Sequence, residues 1–156
     1  MSHMVFAAPE ARWVCAEPRR ALSGAALTRM LQPVFGACRV VHAQPFADGL
    51  RNANFKVIIE QHTHPVVLRV YEHDGSLCRK ELDLLTRVES SVPVPGILHA
   101  EPEGLRDLPP FMVMEHVPGI TLRDLIDTRD QGHIAQAAFS AGQTLAAIGE
   151  ITFAVN

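Results

Sequence analysis

The sequence predicts an α+β fold, a small sheet-and-helix unit joined to the start of a helical one. Three observations predict it. The periodicity runs helix, three strands, helix, two strands, then helices alone. The composition changes at Val117-Pro118-Gly119, beyond which no strand pattern recurs. Hydrophobic residues make up 47% of the 156, enough for a core in one domain, or in one domain plus a fragment of another.

Met1-Ser2-His3-Met4 reads as a tag remnant, and residues 1–17 lack a clean period, so they are expected to form a flexible arm. Residues 20–32 predict the first helix. Leu22, Ala26, Leu27, Met30 and Leu31 recur at three- and four-residue spacing, Ser23 and Gly24 lie near the start, and Pro33 is expected to stop it. Residues 39–43, 55–60 and 65–71 predict three strands, the last two joined by the polar turn Gln61-His62-Thr63-His64. Asp74-Gly75 marks a turn into a second helix at 76–90, with Leu77, Leu84, Leu85 and Val88 as its apolar stripe. Pro93 and Pro95 end that helix and lead into an extended segment at 97–100. Residues 101–110 are a Pro- and Gly-marked loop, and 111–115 a short apolar strand. After the break at 117–119, helices are expected at 122–126 and from 133 or 134 to 147. This divides the chain into an arm (1–17), a sheet-bearing unit (18–115) and a helical beginning (116–156).

Several function classes are excluded early. The balance of 14 Lys+Arg against 17 Asp+Glu gives a net charge of −3 and no bulk attraction to nucleic acid. No stretch approaches the roughly 18 unbroken apolar residues of a membrane span. The three cysteines, Cys15, Cys38 and Cys78, form neither a disulfide framework nor a metal knuckle. No signal peptide is expected, and a cytoplasmic, reducing location fits best.

Two charges break the apolar pattern. Arg69 interrupts a strand of Val, Val, Leu, Val and Tyr, and alternation puts it on the face of Val67 and Tyr71, opposite Leu68 and Val70. Glu81 stands four residues after Leu77 and so falls on the inward stripe of its helix. An inward carboxylate needs a partner, and Arg69 is the obvious one. Two readings remain open on pattern alone: a pair that orients Arg69 toward a phosphate, and a structural salt bridge or two edge residues snorkelling to water.

Other polar stretches are weaker. The link 46–55, with Gly49, Asn52 and Asn54, can turn tightly and expose backbone N–H groups to an anion, or serve as a plain connection. It is neither a dinucleotide fingerprint nor a Walker loop. Met114-Glu115-His116-Val117 ends a strand as the chain leaves the sheet. Its main chain suits a purine, with apolar contact from Val57, Val67 and Met114, or it is a linker. His62-x-His64 lacks a third metal ligand at useful spacing, and Cys78, although flanked by Arg79 and Lys80, lacks a His partner.

Together these segments resemble the small-molecule kinase superfamily of aminoglycoside phosphotransferases and choline kinases over roughly residues 20–150. Gly49-Leu50-Arg51-Asn52-Ala53-Asn54-Phe55-Lys56-Val57 is similar to the family's nucleotide loop, and Arg69 stands where its phosphate-contacting base stands. Arg79-Lys80-Glu81-Leu82-Asp83-Leu84-Leu85 is similar to the helix whose Glu holds that base. Val92-Pro93-Val94-Pro95 and Phe111 to Gly119 match the next two markers in order, the latter resembling the hinge that holds adenine or guanine. The resemblance implies a protein-kinase-like N-terminal lobe, a sheet of about five strands with one internal helix, then the hinge and the first C-lobe helices.

It also implies function. The cofactor would be ATP or GTP with Mg2+, and the parent reaction phosphoryl transfer to a small-molecule hydroxyl. Gly49, Asn52 and Asn54 would cover the nucleotide, Val67 would line it, Arg69 would contact phosphates, Glu81 would hold Arg69, and the backbone of Met114, Glu115, His116 and Val117 would bind the base. The family's His-Gly-Asp segment has no match here. Gly132-His133 is followed by Ile134, and Asp124, Asp127 and Asp130 come too early. This chain is therefore expected to hold no catalytic or metal-binding residue, to be truncated before the catalytic loop, and to have no turnover alone. The rival expectation is a non-catalytic interaction module built on the same lobe. A homodimer through the C-terminal helix would cover Ile134, Phe139, Leu145 and Ile148.

Overall fold

The computed structural model describes residues 22–46 and 52–152. The expected arm, the first residues of the first helix and Gly49 of the loop lie outside the described residues.

The first helix, α1, spans Gly24–Phe35. Ser23 caps it, its hydroxyl accepting from the Ala26 N–H at 3.2 Å. Pro33 does not stop it. Proline removes one N–H and crowds the carbonyl four residues back, but at 33 only the last turn feels this. Val34 and Phe35 pack against the core and hold that turn, and Gly36, at φ +63°, ends it with its N–H on Gln32 O.

Five strands follow: β1 (Val40–Pro45), β2 (Ala53–Ile59), β3 (Val66–Val70), β4 (Ile97–Glu101) and β5 (Phe111–Glu115). They form one sheet in the order β1-β2-β3-β5-β4, and every neighbouring pair is antiparallel. β1 reaches further than its predicted span, to Pro45 opposite Phe55. Both register irregularities lie on the outer strands, between Val40 and His42 and between Ile97 and His99. The β2–β3 turn bends at Gln61, whose φ is +65°.

The sheet has two differently covered faces. On one, Leu27, Met30 and Leu31 of α1 meet Phe55, Val57, Ile59, Val66, Leu68, Val70, Phe111 and Val113. This is the main core, and Leu68 is 0% exposed at its centre. On the other lies the second helix, α2 (Ser76–Val88), whose Cys78 packs with Tyr71, Met112 and Met114. Its inward stripe is Leu77, Cys78, Leu82, Leu85 and Val88, with Glu81 half-buried among them. Leu84, expected on that stripe, is exposed: one residue turns a helix by about 100°, and Leu85 occupies the inward phase. The helix ends at Val88, a turn before the prolines.

The loop between β4 and β5 is pinned from both sides. Arg29 of α1 grips the Asp107 carboxylate through two nitrogens at 2.9 and 3.2 Å, and Arg79 of α2 reaches Glu103 at 2.6 Å. Beyond β5, α3 (Leu122–Asp127) opens with a reciprocal capping box between Thr121 and Asp124, and Asp130 caps α4 (Gln131–Gly149). Asp124 and Asp130 thus serve as caps. α4 buries no residue, and Phe139, Leu145 and Ile148 are exposed on it. Among the described residues no helix is long and apolar enough to cross a membrane.

Truncating the core centre tests this architecture. Leu68→Ala should lower unfolding free energy by about 2–5 kcal/mol in urea titration, while a polar change at exposed Leu84 should cost far less.

Candidate nucleotide site

The site grows from strand register. β2 and β3 pair Asn54 with Arg69 and Lys56 with Val67, and directly opposed residues share a face. β3 and β5 then pair Arg69 with Met112 and Val67 with Met114. One face of the sheet therefore carries Asn54, Lys56, Val67, Arg69, Met112 and Met114. α2 covers the Met112–Met114 side of it, while Asn54 and Lys56 on the β2 side are half-buried and lie outside the apolar cluster beneath α2.

Arg69 and Glu81 meet on this face. The Arg69 Nη1 pairs with the Glu81 Oε1. The Arg69 Nε donates to the Asn54 side-chain oxygen at 2.8 Å, and the Tyr71 hydroxyl donates to the second Glu81 oxygen at 2.7 Å. Both carboxylate oxygens are thus engaged, and the guanidinium is held on two sides. The side chains of Arg69 and Glu81 are 28% and 25% exposed, so the pair is shielded yet open along one edge. A guanidinium carries five N–H groups; those not used on Asn54 and Glu81 have no protein acceptor among the described residues.

Burial tunes the two neutral acids beneath the pair. It pushes the Tyr71 phenol up to about 12, with a nearby Cys78 adding to the rise and Arg69 opposing it. The Cys78 thiol rises to about 11, again chiefly through burial, while Arg79 pulls the other way. Its sulfur donates to Phe111 O at 3.6 Å. Cys78 is therefore a core thiol, and the adjacent Arg79 and Lys80 do not make it a thiolate.

The other expected site residues fall as follows. Asn52 lines a small cavity of about 250 Å³ with His73, Asp74 and Leu77, at the start of α2. Met114 is buried beneath α2. The Glu115 N–H donates to Gly96 O at 2.9 Å, and its carboxylate accepts from the Gly96 N–H at 3.3 Å. His116 and Val117 lie past the last ladder pair, and Val117 is exposed. Val57, expected to contact the base, faces the α1 core instead: it pairs with Val66 and is 0% exposed. The residue of β2 that shares a face with Val67 is Lys56. His62 and His64 do gain a neighbour, since His116 and Glu115 line the same cavity of about 460 Å³. Even so, among the described residues no three His, Cys, Asp or Glu side chains converge to hold a metal ion.

The family model described as the phosphotransferase enzyme family (APH) matches residues 42–154. No curated protein matches the chain. Among solved structures, a thermostable mutant of aminoglycoside phosphotransferase APH(4)-Ia in ternary complex with AMP-PNP and hygromycin B is 20% identical, with a TM-score of 0.47 over 66% of this chain and 33% of that one. A mutant of the same enzyme with ADP and hygromycin B gives 20% and 0.46 over 64% and 32%, and APH(4)-Ia itself gives 17% and 0.45 over 66% and 33%. The chain spans about a third of the length of these structures.

Tyr71 is the chain's single tyrosine, so its ionisation can be read directly by phenolate absorbance. It should titrate near 12 in the folded protein and near 10 in denaturant. The sign for stability follows. Tyr71 and Cys78 both have raised folded values, so their contribution is whole below about pH 9. It falls as pH rises from about 9 to 12, where the unfolded chain releases protons first. Urea midpoints measured across pH 8–12 should decline through that window, and Cys78→Ala should delay the onset.

Proposed function

Because this chain belongs to the phosphotransferase enzyme family, we propose that it carries the nucleotide-binding lobe of an ATP- or GTP-dependent phosphotransferase acting on a small-molecule hydroxyl. Residues 18–115 form the nucleotide lobe in this reading, and residues 116–156 the hinge and the start of the helical lobe. A cytoplasmic setting, where nucleoside triphosphates are plentiful, suits such an enzyme.

The observation that carries the reading is the orientation of Arg69. Asn54 and Glu81 hold the guanidinium through its Nε and Nη1, and its other donors meet no acceptor among the described residues. A guanidinium so held loses little freedom when it meets an anion, and charge-assisted bonds to phosphate are strong. Arg69 binds the α- and β-phosphates, and Glu81 fixes its direction. The Gly49, Asn52 and Asn54 stretch covers the nucleotide, while Val67 provides apolar contact. The base lies along the backbone of Met114 to Val117. Since the Glu115 N–H is already used by Gly96, the carbonyl of Glu115 and the main chain of His116 and Val117 remain for its edge.

Phosphoryl transfer in this reading also needs Mg2+, which would neutralise developing charge on the phosphates. Among the described residues no three His, Cys, Asp or Glu side chains converge on one metal position. Nor does the chain contain a His-Gly-Asp sequence to orient the acceptor hydroxyl. Its own contribution is to bind and orient the nucleotide. The rival reading, a non-catalytic interaction module using the exposed α4 face, needs no nucleotide at all.

Calorimetric titration separates the two. The purified chain should bind ATP or GTP and the matching diphosphate, and Arg69→Ala should weaken diphosphate binding by about 10- to 100-fold. A wild-type chain that binds neither nucleotide overturns the reading in favour of the module. With Mg-ATP or Mg-GTP and a panel of hydroxylated acceptors, this chain alone should yield no phosphorylated product; product would show that the catalytic groups are already present in it.

A further inference from the structure

We propose that Lys56 is a second polyphosphate-binding cation of this site, an inference that rests on the nucleotide reading of the Arg69 face. It starts from charge. The Arg69 charge is offset by Glu81, whose carboxylate also takes the Tyr71 hydroxyl, so the triad as a whole adds no net charge to the cleft. A site for a polyphosphate carrying several negative charges needs positive charge beyond that pair.

Register puts Lys56 there. Gln44, Lys56, Val67 and Met114 form one row across β1, β2, β3 and β5, and Asn54, Arg69 and Met112 form the next. Lys56 and Arg69 are thus diagonal neighbours on one face, with Cα atoms roughly 7–8 Å apart. A lysine stem and a guanidinium at that spacing can both reach one di- or triphosphate. α2 packs over Met112 and Met114, and among the described residues Lys56 lies outside the apolar cluster it forms there.

Lys56 is also uncommitted. It is half-buried, and among the described residues its side chain forms no ion pair or hydrogen bond. Among the described residues, two acids toward its face are already engaged: Glu81 with Arg69 and Tyr71, and Glu60, beyond the end of β2, with Arg39 at 3.2 Å. A half-buried lysine whose head group has no counter-charge among the described residues is a poor structural element and a good anion ligand. The apolar residue next to it in sequence, Val57, points into the opposite core, so nothing else on that part of β2 competes for the position.

The test compares ligands that differ only in phosphate count. Wild-type chain, Lys56→Met, Lys56→Gln and Lys56→Arg are titrated with a nucleoside and its mono-, di- and triphosphate, in the adenosine and guanosine series, at two salt concentrations. Lys56→Met and Lys56→Gln should weaken di- and triphosphate binding about tenfold, leave nucleoside binding unchanged, and flatten the salt dependence; Lys56→Arg should restore most of the loss. Equal weakening of nucleoside and triphosphate would overturn the proposal, as would no change in any ligand. If Arg69→Ala abolishes binding while Lys56→Met does not alter it, the nucleotide reading stands and this inference fails. If wild-type chain binds no nucleotide, both fail.

Discussion

Arg69 needs Glu81 in order to sit where it does. Its strand is central, with β2 on one side and β5 on the other, and the residues before and after it point into the main core. A lone guanidinium on the opposite face, half-covered by a helix, would carry a desolvation cost with no compensation. Glu81 removes that cost and is itself made tolerable by it, because both of its oxygens are engaged. Taking away either partner leaves the other charge shielded and unpaired, which is the more damaging change for a pair of this kind. The same contact ties α2 to the sheet beside the apolar cluster of Tyr71, Cys78, Met112 and Met114.

That contact divides the sheet's second face into two parts. On the β4–β5 side, α2 seals methionines and a thiol into a dry patch where acids resist ionising. On the β2 side, the described residues of this face are half-buried Asn54 and Lys56 and exposed Ile58. A dry wall next to half-buried polar side chains is a favourable setting for electrostatic recognition, because charges at the boundary are screened less than on an open surface. The nucleotide proposed for this chain would lie along that boundary.

Much of this was legible before any coordinates. Arg69 and Glu81 stood out because each broke a strong period, and breaking a period is visible in one dimension. The order of strands and helices was legible for the same reason. What failed was phase and register. Leu84 and Leu85 are adjacent leucines, and the sequence alone does not say which one a helix turns inward. Val57 looked like a ligand contact because it is apolar and close to the loop, but its face is set by pairing with Val66, a long-range fact. Asn54 was noticed as part of a loop, whereas its side chain bonds to Arg69 because register places the two opposite each other. Tyr71 was the avoidable omission: alternation had already put it on the Arg69 face, and a phenol there needs an acceptor. Pro33 misled because a proline rule written for helix interiors weakens in a final turn that is held by Phe35.

The sheet's borders have a consequence of their own. β1 and β4 are its free margins, and each carries a register irregularity; β1 also finishes on Pro45, which has no amide to give. A straight row of unpaired amides invites another strand to dock and, repeated, to grow a fibre. Here neither margin is straight. The lobe can thus expose its outer strands without templating its own polymerisation.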